Sequence, residues 1–150
     1  MGKKITSAMF AMALAGATTT GNSSPAQASS LMTACSPDIA SLCKGVREGR
    51  GRISACLFAH GNRISPACKP EVTKVAKRMA FEPKVPAGAR SGTVRVDEAK
   101  LKQVCASDIR THCRSVAPGK GRLLACIYAW SNNVSTTCRS EARAMIEDMR

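Results

Sequence analysis

Aromatic side chains are scarce in this chain, with three phenylalanines, one tyrosine and one tryptophan among 150 residues. Packing of large side chains is therefore a weak source of stability here. Acids are scarce too: 10 Asp and Glu stand against 23 Lys and Arg, for a formal net charge of +13. The only histidines are His60 and His112, and no C-x-x-C pair occurs. These gaps argue against zinc knuckles, which use C-x2-4-C spacing, and against dithiol redox chemistry. No apolar run approaches the roughly 20 residues that a membrane-spanning helix needs. No apolar–polar alternation marks a strand.

What the chain does have is eight cysteines in two identical frames. Cys35, Cys43, Cys56 and Cys68 recur 70 residues later as Cys105, Cys113, Cys126 and Cys138, so C-x7-C-x12-C-x11-C occurs twice. Aligning 35–79 with 105–149 matches 16 of 45 positions, among them Asp38/Asp108, Ile39/Ile109, Gly49/Gly119, Gly51/Gly121, Arg52/Arg122, Asn62/Asn132, Ser65/Ser135 and Glu71/Glu141. The chain carries a duplicated module.

The N-terminus predicts export. Met1 to Lys4 supply a positive start, Ile5 to Ala17 an apolar stretch interrupted by Thr6 and Ser7, and Ala26-Gln27-Ala28 a small-x-small cleavage site. This is the pattern of a secretory signal peptide over 1–28. Cleavage at Ala15-Gly16-Ala17 is a second option, but it would give a rather short signal. The product is expected to begin at Ser29, to be soluble, and to reside in a periplasm or outside the cell. In such an oxidising space an even number of cysteines reads as four disulfides rather than a metal site or a reactive thiol. Bridges also suit modules of about 46 residues, which bury too little to be secure unaided.

Periodicity predicts an all-α fold: two tandem disulfide-stapled modules of about three short helices each. The first helix starts at Ser36-Pro37-Asp38 and places Cys35, Ile39, Leu42 and Cys43 on one face. The second carries Ile53, Cys56, Leu57 and His60, mirrored by Leu123, Cys126, Ile127 and Trp130. The third opens at Ser65-Pro66, or at Ser135, and carries Cys68, Val72, Val75, Ala76 and Met79, matched by Cys138, Ala142, Met145, Ile146 and Met149. Residues 29–80 form the first module and 97–150 the second. Between them, 81–96 contain Pro83, Pro86, Gly88 and Gly92 and read as a linker. Asp97 then caps a lead-in helix through Ala99, Leu101 and Val104. Whether the modules dock is left open by the sequence.

Eight cysteines allow 105 pairings; self-contained modules sharing one pattern leave three. Pairing Cys35 with Cys43 is the one option that geometry clearly disfavours, because residues eight apart on a helix are about 12 Å apart along its axis. In an up-down-up hairpin, Cys43 faces Cys56, and Cys35 lies at the same end as Cys68. The expected pairs are Cys35 with Cys68 and Cys43 with Cys56, repeated as Cys105 with Cys138 and Cys113 with Cys126.

The pattern C-x2-DI-x3-C, a Gly-Arg-rich loop, GR[IL]-x2-C[LI] and Ser-x2-Cys resembles the cysteine-rich repeat family of Golgi apparatus protein 1, also called the cysteine-rich fibroblast growth factor receptor. It runs through Cys35-Ser-Pro-Asp-Ile39, Gly51 to Leu57 and Ser65 to Cys68, and again from Cys105 to Cys138. The large animal members are membrane-anchored, carry many repeats, and bind growth factors and a selectin. Those partners do not transfer to a chain resembling a bacterial-type, two-repeat, secreted member. The resemblance implies a helical, disulfide-linked, non-enzymatic binding or structural module.

Charge points to an anionic partner: an acidic glycan, a lipid head group or an acidic protein. Export argues against nucleic acid. The local candidates are Arg50 and Arg52 in Gly49-Arg50-Gly51-Arg52, and Lys120 and Arg122 in Gly119-Lys120-Gly121-Arg122, a flexible basic loop entering a helix N-terminus that attracts anions. The competing reading is that the glycines only shape a turn and the basic side chains are solvated, in a structural envelope or secreted protein with no discrete ligand. Enzymatic chemistry is not expected. His60 aligns with Trp130 and His112 with Leu42, so neither is repeated, and no nucleophile, base and orienting group can be assembled. Asp38, Asp108, Glu71 and Glu141 sit in first helical turns, where capping accounts for them. No cofactor is implied.

Overall fold

The computed structural model describes residues 25–76 and 97–148, and the side-chain surroundings of 30–76 and 97–147. Residues 1–24 of the signal-like segment 1–28 and the linker assigned to 81–96 lie outside the described residues, as do Met79 and Met149. All the described secondary structure is helical. The first module consists of α1 (Pro25–Ala34), α2 (Ser36–Leu42), α3 (Arg52–Ala59) and α4 (Lys69–Ala76). The second consists of α5 (Glu98–Val104), α6 (Ala106–Asp108) continuing as a π-helical turn over Ile109–Cys113, α7 (Arg122–Ala129) and α8 (Thr136–Asp148).

The first module has one helix more than expected. Leu31 precedes Cys35 by four residues as Leu101 precedes Cys105, and both leucines are buried, at 4 % and 0 % exposure. That one-turn spacing puts leucine and cysteine on one helix face, so each lead-in helix has an apolar anchor in its leucine. Cleavage after Ala28 would leave this anchor in place. In the second module Asp97 caps α5 by accepting from the Lys100 N–H at 2.9 Å. α4 also starts later than expected, at Lys69 rather than Ser65-Pro66. Pro70 has no N–H to offer the Pro66 carbonyl, so a separate turn over 66–68 precedes the helix. Ser140 stands at the equivalent place in α8, which runs unbroken from Thr136.

Disulfides join Cys35 to Cys68 and Cys43 to Cys56, and Cys105 to Cys138 and Cys113 to Cys126. In each module one bridge ties the turn before α2, or before α6, to the turn or first residues leading the last helix. The other ties the end of that second helix to the middle of α3 or α7. All eight half-cystines are at most 2 % exposed, so the bridges form the centre of each module.

The modules dock. α3 and α7 pack against each other more extensively than any other helix pair, and the buried residues of both modules form one continuous core. Ala55 and Ala59 on α3, and Ala125 and Ala129 on α7, are all at most 2 % exposed. Small residues one turn apart allow helix backbones to approach closely. Two further contacts cross the interface. The Tyr128 hydroxyl donates to the Arg50 carbonyl at 2.6 Å, and Trp130 lies over Gly45. A Cβ on Gly45 would come 3.2 Å from the edge of the Trp130 ring, and its φ of +89° is one that only glycine adopts without strain. Gly45→Ala is expected to cost about 1–3 kcal/mol, combining backbone strain with a forced shift of Trp130. Urea unfolding followed by tryptophan fluorescence checks this, since Trp130 is the chain's only tryptophan.

Candidate functional site

The Gly-basic-Gly-Arg segments build the same turn in both modules. Gly49, Arg50 and Gly51 have φ of 87°, 52° and 71°, and Gly119, Lys120 and Gly121 have 92°, 53° and 69°. Three successive left-handed residues reverse the chain sharply, which explains glycine on either side of the basic residue. The Arg52 guanidinium then closes the turn, with Nε donating to the Arg47 carbonyl at 3.0 Å and Nη2 to the Glu48 carbonyl at 2.6 Å. Arg122 repeats this with the Ala117 and Pro118 carbonyls at 2.9 and 2.8 Å. The expectation of a flexible loop is corrected on this point: the segment is a pinned turn. Arg52 and Arg122 spend part of their donor fork on it, while Arg50 and Lys120 stand exposed at the apex.

Each turn faces the other module. Arg50 and Arg52 meet Tyr128, Asn132, Arg139 and Arg143 across a cleft of about 550 Å³ whose apolar lining is Ile127, Ala142 and Ile146. Lys120 and Arg122 meet Phe58, Lys69, Val72 and Thr73 across a second cleft of about 390 Å³. The two clefts are pseudo-symmetric counterparts, since Tyr128, Arg139, Ala142 and Arg143 are the 70-residue equivalents of Phe58, Lys69, Val72 and Thr73. The sequence singled out the turns but not Arg139 and Arg143. Their signal was the docking of the modules, which no local pattern carries.

The clefts are not equivalent electrostatically. The first gathers four arginines, with Glu147 the one acid in its lining. Arg139 donates Nη2 to the Val134 carbonyl at 3.1 Å, whereas its buried Nε has no hydrogen-bond partner among the described residues. At the second turn, Glu98 accepts from the Gly119 N–H at 2.8 Å, placing a carboxylate where an anion would approach. Residue 28, the 70-residue equivalent of Glu98, is alanine, so the first repeat has no counterpart of this acid.

Asp38, Glu71 and Asp108 lie in first helical turns as expected, whereas Glu141 lies beyond the first turn of α8 because that helix already starts at Thr136, and all four have tertiary partners. Asp38 accepts from the Ser65 N–H at 3.0 Å and hydroxyl at 2.7 Å, and Asp108 does the same with Ser135 at 3.1 and 2.8 Å. Glu71 accepts from the Ser30 hydroxyl and pairs with Lys74, and Glu141 pairs with Lys100 at 2.6 Å. These acids tie helices together. His112 stacks on Trp130 with ring centroids 4.5 Å apart. No group of three or more metal-ligating side chains occurs among the described residues.

His60, 3 % exposed, has an Nδ1 without a partner among the described residues. Burial, and secondarily the Arg63 charge, lower its pKa below the ordinary imidazole value. The unfolded chain therefore takes up a proton near pH 6.5 that the folded chain resists, and stability falls as pH drops through the unfolded pKa. The loss ends at the lower folded pKa. His60→Phe is expected to flatten the stability profile between pH 7 and 5, measured as urea midpoints across that range.

An all-helical, disulfide-stapled repeat pair with basic clefts between its modules defines the class of protein. The family model for the cysteine-rich repeat matches residues 25–64 and 66–135, and the chain belongs to that family. It is similar to Golgi apparatus protein 1 of Cricetulus griseus, Rattus norvegicus and Homo sapiens, at 27 % identity over 118 residues in each. The match covers 76 % of this chain and 9 % of each relative's length. No solved structure matches.

Proposed function

We propose that the protein is an exported, non-enzymatic binding module that takes an anionic partner in the cleft between its repeats. The partner is an acidic glycan, a lipid head group or an acidic protein. The observation that carries this reading is the convergence of Arg50, Arg52, Arg139 and Arg143, drawn from both modules, on one cleft. Like charges gathered in a concave site cost stability and raise the local concentration of anions. Export to a periplasm or the cell exterior is supported by the signal-like N-terminus and the four disulfides. No described helix is long and apolar enough to cross a membrane.

The use of Arg52 and Arg122 to close their own turns favours a second reading, a structural envelope or secreted protein without a discrete ligand. Salt-graded elution from an immobilised sulfated polysaccharide separates the two. Disulfide-intact protein is expected to elute at higher salt than reduced and alkylated protein of nearly equal charge. Equal elution would reduce the basic charge to a generic attraction and leave the structural reading.

A further inference from the structure

We infer that the larger cleft is a subsite for an acidic saccharide unit, one whose sulfate or carboxylate is held by the arginines. This rests on the anion-binding reading above and adds the chemical class of the ligand. Three features of the lining select that class. Guanidinium forks match planar and tetrahedral oxyanions in a bidentate manner that lysine cannot reproduce. Arg50 and Arg143 are the exposed pair on opposite walls, one from each module. Ser131 and Asn132 supply hydroxyl and amide groups suited to sugar hydroxyls. Tyr128 and Ile146, both partly exposed, offer the apolar surface that a pyranose ring's less polar face requires.

A lipid surface fits less well. Met32 is the one large apolar side chain exposed among the described residues, which therefore present no apolar cluster to enter a membrane. A peptide that binds by adding a strand would need a sheet edge, and the described residues contain no strand. The cleft's volume of about 550 Å³ lies in the range of small-ligand sites.

The asymmetry between the clefts sharpens the inference. The smaller one has Lys69 and Lys120 in place of Arg139 and Arg50, and Gly61 in place of Ser131. Glu98 also occupies the Gly119 amide there. One strong site and one weak site per chain follow.

The test is calorimetric titration of the full disulfide-bonded chain with a heparin hexasaccharide, maltohexaose, a hexaglutamate peptide and phosphatidylglycerol vesicles. The hexasaccharide is expected to bind with one dominant site, and maltohexaose not to bind. Arg50→Gly, which suits the left-handed backbone, and Arg143→Gln should each weaken binding about tenfold, corresponding to loss of one charge-assisted hydrogen bond. Lys44→Gln and Arg110→Gln, exposed and outside both clefts, should change it less than about twofold. Hexaglutamate or vesicle binding that depends on Arg50 and Arg143, without hexasaccharide binding, would overturn the saccharide assignment and keep the anion reading. Hexasaccharide binding equally insensitive to all four substitutions, or no binding by any anion, would overturn both.

Discussion

Reduction and alkylation of the four disulfides is expected to unfold the protein at 25 °C, with loss of the far-UV helical signal and a red shift of Trp130 emission. The Cys35–Cys68 and Cys105–Cys138 bridges each span a sequence separation of 33 residues, and the other two span 13. In the chain-entropy account, loops of these lengths contribute about 3–4 kcal/mol each by restricting the unfolded chain. Even with incomplete additivity, four such terms rival the whole stability of a small domain, about 5–15 kcal/mol. The core cannot make up the difference. Its fully buried aliphatic side chains of any size are Leu57, Leu101, Leu124 and Ile127, and the half-cystines occupy the remaining central positions. Alkylated sulfurs also do not fit sites at most 2 % exposed. A helical signal retained after full alkylation would show that the aliphatic core suffices alone.

The cysteine frame made the helices legible because it coincides with helical spacing. Cys35, Ile39, Leu42 and Cys43 share a face, as do Ile53, Cys56 and Leu57, and a 3.6-residue period needs no tertiary knowledge. The lead-in helix α1 was hidden for a different reason. Its buried anchor, Leu31, lies beside a signal-like segment, and no acidic cap such as Asp97 announces it. The repeat held the clue, since Leu101 stands in the same relation to Cys105. Docking was illegible because buried alanines such as Ala55 and Ala125 read as neutral helix residues until a partner covers them.

The same limit applied to the site. The turns at Gly49–Arg52 and Gly119–Arg122 stood out by repetition, and their glycines carry the positive φ that such a motif suggests. Which basic side chains are committed to the turn depends on where carbonyls such as Glu48 and Pro118 point, a property of the folded backbone. Arg139 and Arg143 sit on α8 with nothing in their spacing to link them to Arg50. The cleft arises only because a duplicated module packs against its own copy, so that each turn faces the other module's last helix.

Asp38→Ala is expected to cost about 2–4 kcal/mol, more than Asp108→Ala, although the two acids make the same bonds. Asp38 is 7 % exposed and receives both the Ser65 N–H and hydroxyl, while the Ser65 oxygen in turn accepts from the Cys68 N–H at 3.3 Å. Removing the carboxylate strands two donors in a largely dry site and loosens the turn that presents Cys68 to Cys35. An unsatisfied buried polar group costs about 1–3 kcal/mol, and bonds to a charged acceptor stand at the upper end. The Asp108 network is more exposed, so water can replace the lost acceptor and the cost should fall to about 1–2 kcal/mol. Asp38→Asn keeps one carbonyl acceptor for the Ser65 pair and should lie between. Urea midpoints of the three variants, with disulfides intact, give the order directly. Equal costs for Asp38→Ala and Asp108→Ala would mean that the acids act as first-turn dipole partners, where burial makes little difference, rather than as ties between the start of α2 and the turn before α4.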